Sequence, residues 1–274
     1  MKGLQRVFDF YLDASIHVAF AVFALVNITD IKLNISAGHH LSWFLFFSTI
    51  VCYNFMKYGV EAEKYVIVTN GYHRIIQLIS FLAFGFSAYH AYFLPLEVWL
   101  GILALMLLTG LYALPLLPRS KKLRSWGGLK IFVVALVWTG TTVILPVLID
   151  DGSGSWEVAI ETLQRFVFVF TLMLPFEIRD LVYDSPELRT LPQRYGVQRT
   201  KVIGAFATLL FLLLTFLKDS LYMVEAAGIG IIFVILGGTL FFTKRLQRKY
   251  FASGWVEAIP IFWWVILIGL ENVL

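Results

Sequence analysis

A series of long apolar segments constrains this chain more than any other feature. A helix needs roughly 20 apolar residues to cross about 30 Å of hydrocarbon. Hydrophobic residues make up 59% of the chain and charged residues 15%, whereas about a quarter of an average soluble domain is charged. The sequence therefore predicts an all-α integral membrane bundle, with residues 1–274 as one domain. About nine segments are apolar enough to be spans, with these rough bounds: 10–29, 41–57, 74–93, 97–117, 129–149, 159–178, 202–217, 221–242 and 256–273.

Basic residues are distributed unevenly among the connections between these segments. Of the 22 Lys and Arg residues, only Lys32, Lys218 and Arg165 would lie outside one set of alternate connections. Cytoplasmic loops of membrane proteins carry such an excess. We therefore expect a cytoplasmic N-terminus and a C-terminus on the opposite side. The same bias accounts for the net charge of +4 without a nucleic-acid partner. The predicted inner segments are 1–9, 58–73, 118–128, 179–201 and 243–255.

The stretch FEIRDLVYDSPELRTLPQRYG, residues 176–196, carries the clearest chemical pattern. Asp180 and Asp184 are four residues apart, which places them on one face if the helix continues that far. Glu177 could join the same face. Mg²⁺ is usually held by one or two carboxylates together with substrate phosphates. The pattern indicates a site for Mg²⁺ and a phosphorylated substrate, and a solvated helix end is the alternative. Arginines that could bind phosphate oxygens follow closely: Arg179, Arg189, Arg194 and Arg199.

This stretch resembles the second aspartate-rich segment of the UbiA superfamily of intramembrane prenyltransferases, with an R-D-(I/L)-x-x-D core and a T-L-P-x-x-x-G tail. The resemblance implies a bundle of nine transmembrane helices with its polar site at the cytosolic side. It implies that Asp180 and Asp184 are catalytic and bind Mg²⁺, and that Arg179 and Arg194 bind the diphosphate. The implied partners are a prenyl diphosphate and a hydrophobic, aromatic or lipid-like acceptor in the lipid bilayer. The matching residues are Arg179, Asp180, Leu181, Asp184, Thr190, Leu191, Pro192, Arg194 and Gly196.

A second, looser resemblance follows the fourth apolar segment, in LYALPLLPRSKKLRSWGGLK. Members of the superfamily often have a tyrosine at this place, then a short basic stretch, then the next helix. The resemblance implies that this loop helps to bind diphosphate. The residues at those places are Tyr112, Lys121, Lys122 and Lys130.

The superfamily's first aspartate motif, N-x-x-x-D-x-x-x-D, is degenerate in this chain. Asn54 matches the leading asparagine and would bind the diphosphate, but Tyr58 and Ala62 occupy the aspartate positions. Neither side chain replaces a carboxylate ligand for Mg²⁺. Glu61 could supply the missing ligand, and a solvated loop acid is the alternative interpretation.

Ionisable residues also recur at helical spacing at the start of the first apolar segment. Arg6, Asp9, Asp13 and His17 would form one stripe on a continuous helix. One interpretation is a structural network that pairs Arg6 with Asp9 and Asp13 with His17. The other is that Asp13 or Asp9 lines a polar cavity and supplies the lost metal ligand or contacts the acceptor substrate, since ionisable groups in a bilayer usually face a cavity or one another.

Three functions are compatible with these patterns. The first is a membrane prenyltransferase that uses Mg²⁺, Asp180 and Asp184. The second is a divergent, non-catalytic relative that binds an isoprenoid or lipid, or serves as a partner subunit. The third is a small transporter, which the sequence favours least because its ionisable residues lie chiefly at the predicted inner ends of the spans.

Overall fold

The computed structural model describes residues 2–62, 70–113, 128–150 and 155–273, and within these ranges the regular elements are all helical. Short 3₁₀ and π turns extend or interrupt some helices. We number the helices in chain order as α1 Lys2–Asp13, α2 Ile16–Leu33, α3 Gly38–Ala62, α4 Gly71–Ala91, α5 Leu96–Ala113, α6 Leu129–Ile149, α7 Trp156–Asp180, α8 Leu191–Leu217, α9 Met223–Phe242 and α10 Phe251–Glu271.

Within the described residues, six helices are long and apolar enough to cross a membrane: α2, α6, α7, α8, α9 and α10. The apolar part of α5, Leu96–Gly110, is shorter. This confirms a multi-pass, all-helical membrane bundle. Each of the nine segments expected from the sequence overlaps a helix, but the count of nine spans and the sides on which the termini lie stay predictions.

The first predicted span is wrong in one respect, because the chain breaks between α1 and α2. Ser15 adopts a left-handed conformation with φ 59°, which a residue with a Cβ rarely adopts. The ionisable residues Asp13 and His17 therefore lie on different helices, and the single helical stripe expected through them does not form.

Most helices that follow one another along the chain pack side by side, although α4 and α5 do not, and α10 returns to pack against α2. The largest hydrophobic cluster lies around α7, where the fully buried Trp263 packs between two phenylalanines. Its ring centroid is 4.9 Å from that of Phe168 and 5.6 Å from that of Phe211. Aromatic contacts of this size fix α7, α8 and α10 against one another.

Helix α6 contains a π turn at Gly140–Ile144. It comes at a close helix approach, since a Cβ on Gly140 would lie 2.5 Å from a methyl group of Leu105 on α5. Small residues permit such approaches between membrane helices. The Thr142 carbonyl in this turn accepts a hydrogen bond of 2.6 Å from the Thr29 hydroxyl on α2. The irregular turn thus joins α6 to two neighbours.

Several helix ends are tied together at the end of the bundle where α7 finishes. Lys57, near the end of α3, donates to the carbonyl of Leu12 at 3.2 Å. Gln247, between α9 and α10, donates to the Pro175 carbonyl at 2.7 Å. We call this region the α7 C-terminal end. The α7 N-terminal end is the opposite one, where α2 and α8 finish.

Candidate functional site

Asp180 and Asp184 lie at the point where α7 ends. The helix continues past Pro175 to Asp180, as the sequence interpretation required. Asp184 lies beyond the helix, but its backbone N–H still donates to the Asp180 carbonyl at 2.8 Å. One hydrogen-bonded turn therefore keeps the two carboxyl groups at neighbouring places.

Glu177 and Lys130 extend this pair into a larger group. Glu177 is 1% exposed, and neither of its carboxylate oxygens has a hydrogen-bond partner within the described residues. Its Oε1 is 4.0 Å from the Nζ of Lys130 at the start of α6. We call Glu177, Asp180 and Asp184 the carboxylate cluster, with Lys130 and Arg179 as its flanking cations.

The electrostatics of Asp184 reflect these neighbours. Burial raises the pKa of its carboxyl group, Lys130 lowers it, and the negative charge of Asp180 raises it again, for a net increase. The Oδ2 atom of Asp184 is buried and has no hydrogen-bond partner in the described part of the chain. A carboxylate in this position favours a bound cation, because unpaired buried charge is unfavourable.

The donor set suits Mg²⁺ in chemistry, since it consists of carboxylate oxygens. The described residues nevertheless contain no group of three or more His, Cys, Asp or Glu side chains arranged to hold a metal ion on its own. Asp180 and Asp184 would therefore act as a two-carboxylate site, to which substrate phosphates add oxygen ligands. Glu177 would add negative charge nearby.

The arginines expected to bind diphosphate differ in their surroundings. The Nε of Arg179 donates to Asp180 Oδ1 at 2.8 Å, and its guanidinium lies 5.2 Å from the centre of the Phe176 ring. Arg194 is exposed in the first turns of α8. Arg179 thus already neutralises part of the cluster, while Arg194 faces outward from the same loop region.

The loop after Asp184 is ordered by its own sequence. Gln193 Nε2 donates to the carbonyl of Ser185 at 3.1 Å, and its Oε1 accepts from the Thr190 N–H at 2.9 Å. Gly196 has φ 77°, a conformation that favours glycine, and it produces a kink near the start of α8. The threonine and glycine of the T-L-P-x-x-x-G tail therefore shape this turn.

Asn54 has a structural environment near the break between α1 and α2. Its Nδ2 donates to the Ala14 carbonyl at 3.1 Å and to the Ser80 hydroxyl at 2.9 Å. Its Oδ1 is buried and has no hydrogen-bond partner among the residues described. The Tyr58 hydroxyl, at the first degenerate aspartate position, donates to the Asp13 carbonyl at 3.2 Å. Both residues join α3 to the α1–α2 break.

The expected pair of Arg6 with Asp9 is wrong. Asp9 Oδ1 instead accepts from Lys249 Nζ at 2.7 Å and from the Tyr250 hydroxyl at 2.8 Å. These bonds lower the pKa of the Asp9 carboxyl group, with the hydrogen bond from Lys249 as the largest cause. The contact ties α1 to the loop before α10.

The expected pair of Asp13 with His17 is also wrong, because the backbone turns at Ser15. Asp13 Oδ2 accepts from the Tyr72 hydroxyl at 2.7 Å. The His17 ring lies 3.0 Å from the Tyr11 hydroxyl and 2.9 Å from the Gly254 carbonyl oxygen. Asp13 keeps a carboxylate oxygen outside that hydrogen bond, and its place as a metal ligand stays a prediction.

The side chains of four proposed site residues lie outside the described part of the structure. Lys121 and Lys122 lie outside the described residues. Glu61 and Tyr112 lie on α3 and α5, but the described residues do not include their side chains. Their assigned roles stay predictions.

Sequence reasoning missed a second group of charges at the α7 N-terminal end. Lys32 Nζ lies 2.6 Å from Glu161 Oε2, and Lys218 Nζ lies 2.6 Å from Glu225 Oε1. The side chains of Lys32, Glu161 and Arg165 are completely buried, and those of Lys218 and Glu225 nearly so. We call these residues the buried ion network: Lys32, Glu161, Arg165, Lys218 and Glu225.

Arg165 joins this network to α2 and α6. One terminal nitrogen donates to the Leu25 carbonyl at 2.7 Å and to the Thr142 hydroxyl at 3.1 Å. The other donates to Thr29 and to Glu161, each at 3.1 Å. Lys32, Lys218 and Arg165, the basic residues expected outside the inner segments, therefore lie together in this network.

A local signal for this network was present, since Glu161 and Arg165 are four residues apart in an apolar segment. Ionisable residues within a membrane segment usually face the bundle interior and pair there. The partners Lys32 and Glu225 belong to distant helices, so their pairing depends on the tertiary fold.

Comparison of the chain with family models, curated proteins and solved structures finds no match.

Proposed function

We propose that this chain is an intramembrane prenyltransferase of the UbiA type, which binds a prenyl diphosphate at the carboxylate cluster with Mg²⁺. The observation that carries the proposal is the deficit of positive charge there. The charges of Asp180 and Asp184 both act on Glu177, and three oxygens of the cluster, both of Glu177 and one of Asp184, are buried without a hydrogen-bond partner among the described residues. A divalent cation and its phosphate ligands would relieve that imbalance.

The chain's own residues have separable roles in this proposal. Asp180 and Asp184 would hold the metal ion, and bound Mg²⁺ would supply positive charge to the departing diphosphate. Lys130 and Arg194 would bind diphosphate oxygens as fixed cations. Arg179 would hold Asp180 in place through their 2.8 Å ion pair. The prenyl group would then pass to a hydrophobic acceptor within the membrane.

The test is transfer by the purified full chain in lipid nanodiscs. Labelled geranyl, farnesyl and longer prenyl diphosphates are incubated with a membrane lipid extract and Mg²⁺. We expect a labelled lipid product that is lost in Asp180→Asn and Asp184→Asn. Asp219→Asn, which changes an exposed aspartate at the α7 N-terminal end, is the matched control. A product that survives in both cluster variants would refute the proposed site.

A second candidate function is a non-catalytic family member that binds an isoprenoid or lipid. The observation that favours it is the use of Tyr58, at an expected aspartate position, as a structural hydrogen-bond donor to Asp13. This candidate predicts Mg²⁺-dependent retention of a labelled prenyl diphosphate with no release of diphosphate. Measured diphosphate release that depends on Asp180 would exclude it.

A further inference from the structure

An apolar groove lies between α9 and α10 on the surface of the bundle. Its volume is about 400 Å³, within the range of about 300–1,000 Å³ that is typical of ligand sites. The Thr239 hydroxyl oxygen in its wall accepts from Trp255 Nε1 at 3.0 Å, so the indole donor is already satisfied. A lining of this kind suits a hydrocarbon chain better than a polar solute. The rest of the lining is apolar: Val234, Ile235, Gly238, Phe242 and Phe251.

The groove opens towards the hydrocarbon of the membrane. Both helices that border it are long and apolar enough to cross a bilayer. Val234 and Phe242, which line its α9 side, are 68% and 67% exposed. They lie roughly 12 Å apart along the helix axis at a rise of about 1.5 Å per residue. A lipid chain could therefore enter the groove sideways, without leaving the hydrocarbon.

The loop between α9 and α10, residues 243–250, closes one end of the groove. Phe242 and Phe251 line the groove and border this loop directly. Three basic side chains of the loop are exposed, and the ion pairs between described residues do not include them. We call these residues the loop cations: Lys244, Arg245 and Arg248.

A further cation lies beside them on α8. Lys201 Nζ donates to the carbonyl of Phe241, near the end of α9, at 2.9 Å. The positive charge of Lys244 acts on Lys201. Two like charges so close repel each other, and a bound anion would relieve the repulsion. The end of the groove thus presents an excess of positive charge.

Helix α1 places this loop at the level of the lipid headgroups. Leu4 and Val7 on α1 are 79% and 66% exposed, and the same short helix carries the charged residues Arg6 and Asp9. A helix with an apolar face and a charged face lies in the membrane interface. The ion pair of Asp9 with Lys249, at 2.7 Å, holds the loop against this helix.

We propose that the groove and the loop cations form a binding site for an anionic phospholipid. One acyl chain lies in the groove, and the phosphate-bearing headgroup lies against the loop cations. Clusters of Lys and Arg next to a membrane span attract anionic headgroups, and arginine suits phosphate oxygens in particular. The groove adds shape to this attraction, because it fixes the chain of the same lipid. The site is separate from the carboxylate cluster and does not rest on the proposed function.

The test is photocrosslinking of the purified full chain in phosphatidylcholine nanodiscs. The probes are phosphatidylglycerol and phosphatidylcholine, each with a diazirine at the end of one acyl chain, and crosslinked peptides are identified by mass spectrometry. We expect the phosphatidylglycerol probe to label the groove segments of α9 and α10 roughly fivefold more strongly, the effect of one cation near an anionic headgroup. Equal labelling by the two probes would overturn the proposal.

Neutralisation of the loop cations tests the headgroup contact. The triple variant Lys244→Gln, Arg245→Gln and Arg248→Gln should reduce phosphatidylglycerol labelling of the groove to the phosphatidylcholine level. It should leave phosphatidylcholine labelling unchanged, which also shows that the groove remains folded. A preference for phosphatidylglycerol that persists in this variant would contradict the assigned headgroup site.

Two adjacent glycines test the groove with a matched control. A Cβ on Gly238, which lines the groove, or on Gly237, which does not, would have no atom within 4 Å. Leucine is also a better helix former than glycine, so both variants should fold. Gly238→Leu should reduce groove labelling by both probes, whereas Gly237→Leu should retain it. Equal labelling in the two variants would mean that the loop attracts the membrane surface without a groove site.

An excess of farnesyl diphosphate tests the identity of the occupant. It also has an apolar chain and a charged phosphate group, but we expect it to leave phosphatidylglycerol labelling of the groove unchanged. Displacement of the probe would refute a phospholipid site and assign the groove to a prenyl chain. An absence of prenyl transfer, with groove labelling intact, would refute the proposed function and leave the lipid site standing.

Discussion

The carboxylate cluster and the buried ion network occupy opposite ends of the same helix. Glu161 and Asp180 lie on α7, roughly 28 Å apart along its axis at a rise of about 1.5 Å per residue. In the network, every carboxylate has a cation within 3.5 Å. In the cluster, the cation nearest to Glu177 is 4.0 Å away. The carboxylates of the network thus lie closer to cations than Glu177 of the cluster does.

This difference separates charges that hold helices together from charges that are available to a ligand. The network connects α2, α7, α9 and the residue after α8, and its side chains are at most 7% exposed among the described residues, so a solute has little access to it. The cluster sits where a helix ends and a loop begins, and Arg179 there is 37% exposed. Partial pairing next to solvent is the expected property of a binding site.

Loss of Glu161 should produce the largest effect on stability. It would test whether the buried ion network holds the helices together. Glu161→Ala leaves Lys32, Arg165 and Lys218 buried with one carboxylate of the network between them. Removal of one partner from a buried ion pair costs about 3–5 kcal/mol. We expect a corresponding fall in the free energy of unfolding, measured by SDS denaturation in mixed micelles. Glu97→Ala, at an exposed site, is the control; equal stability of both variants would contradict the comparison.

The second-largest effect is expected from Mg²⁺, which should stabilise the protein through the carboxylate cluster. At a concentration 100 times its dissociation constant, a ligand that binds only the folded state stabilises it by about 2.7 kcal/mol. We expect Mg²⁺ with a non-hydrolysable prenyl diphosphate analogue to raise the melting temperature of wild type. Asp184→Asn should remove this increase without lowering the ligand-free melting temperature. A retained Mg²⁺ effect would show that the metal binds elsewhere.

The pH dependence of Mg²⁺ binding should sharpen the comparison further. The folded pKa of Asp184 lies above its usual 3.8, so the ionised form is disfavoured in the folded protein. The ligand-free protein therefore gains stability from this group as the pH falls through the raised pKa towards 3.8. Mg²⁺, which needs the ionised form, should bind more weakly over the same range. Calorimetric titrations from pH 8 downward should show this weakening, and Asp184→Glu should shift its midpoint.

The smallest effect is expected at Lys249, which pairs with Asp9 on the surface near the cluster. Exposed ion pairs contribute little to stability, so Lys249→Ala should leave the melting temperature at pH 7 nearly unchanged. The lowered pKa of Asp9 means that its contribution is present above pH 3.8 and is lost as the pH falls through the folded value. A large fall in the melting temperature at pH 7 would mean that charged surface contacts at this end contribute as much to stability as buried ones.

The helical bundle could be predicted from the sequence because the length of the apolar segments determines it directly. The DxxxD pair could be predicted equally well, since residues four apart along a helix are neighbours. The conformation of Ser15 could not be predicted, because nothing in a serine requires a positive φ. That single residue decides which groups Asp13 and His17 meet.

The buried ion network could be recognised only in part. Glu161 and Arg165 are visible as a local pair, but Lys32 and Lys218 looked like loop residues near the ends of their spans. Their burial follows from the packing of α2 and α8 against α7, which links residues far apart in sequence.

The π turn in α6 also sets the angular phase between the two ends of the bundle. A π turn amounts to one residue inserted into an α-helix, and each residue rotates the chain by about 100°. Deletion of one residue within Gly140–Ile144 would leave Leu145 and its neighbours in place. It would turn the first half of α6 by that angle and carry Lys130 away from Glu177. A single irregular turn thus keeps the buried ion network and the carboxylate cluster in register.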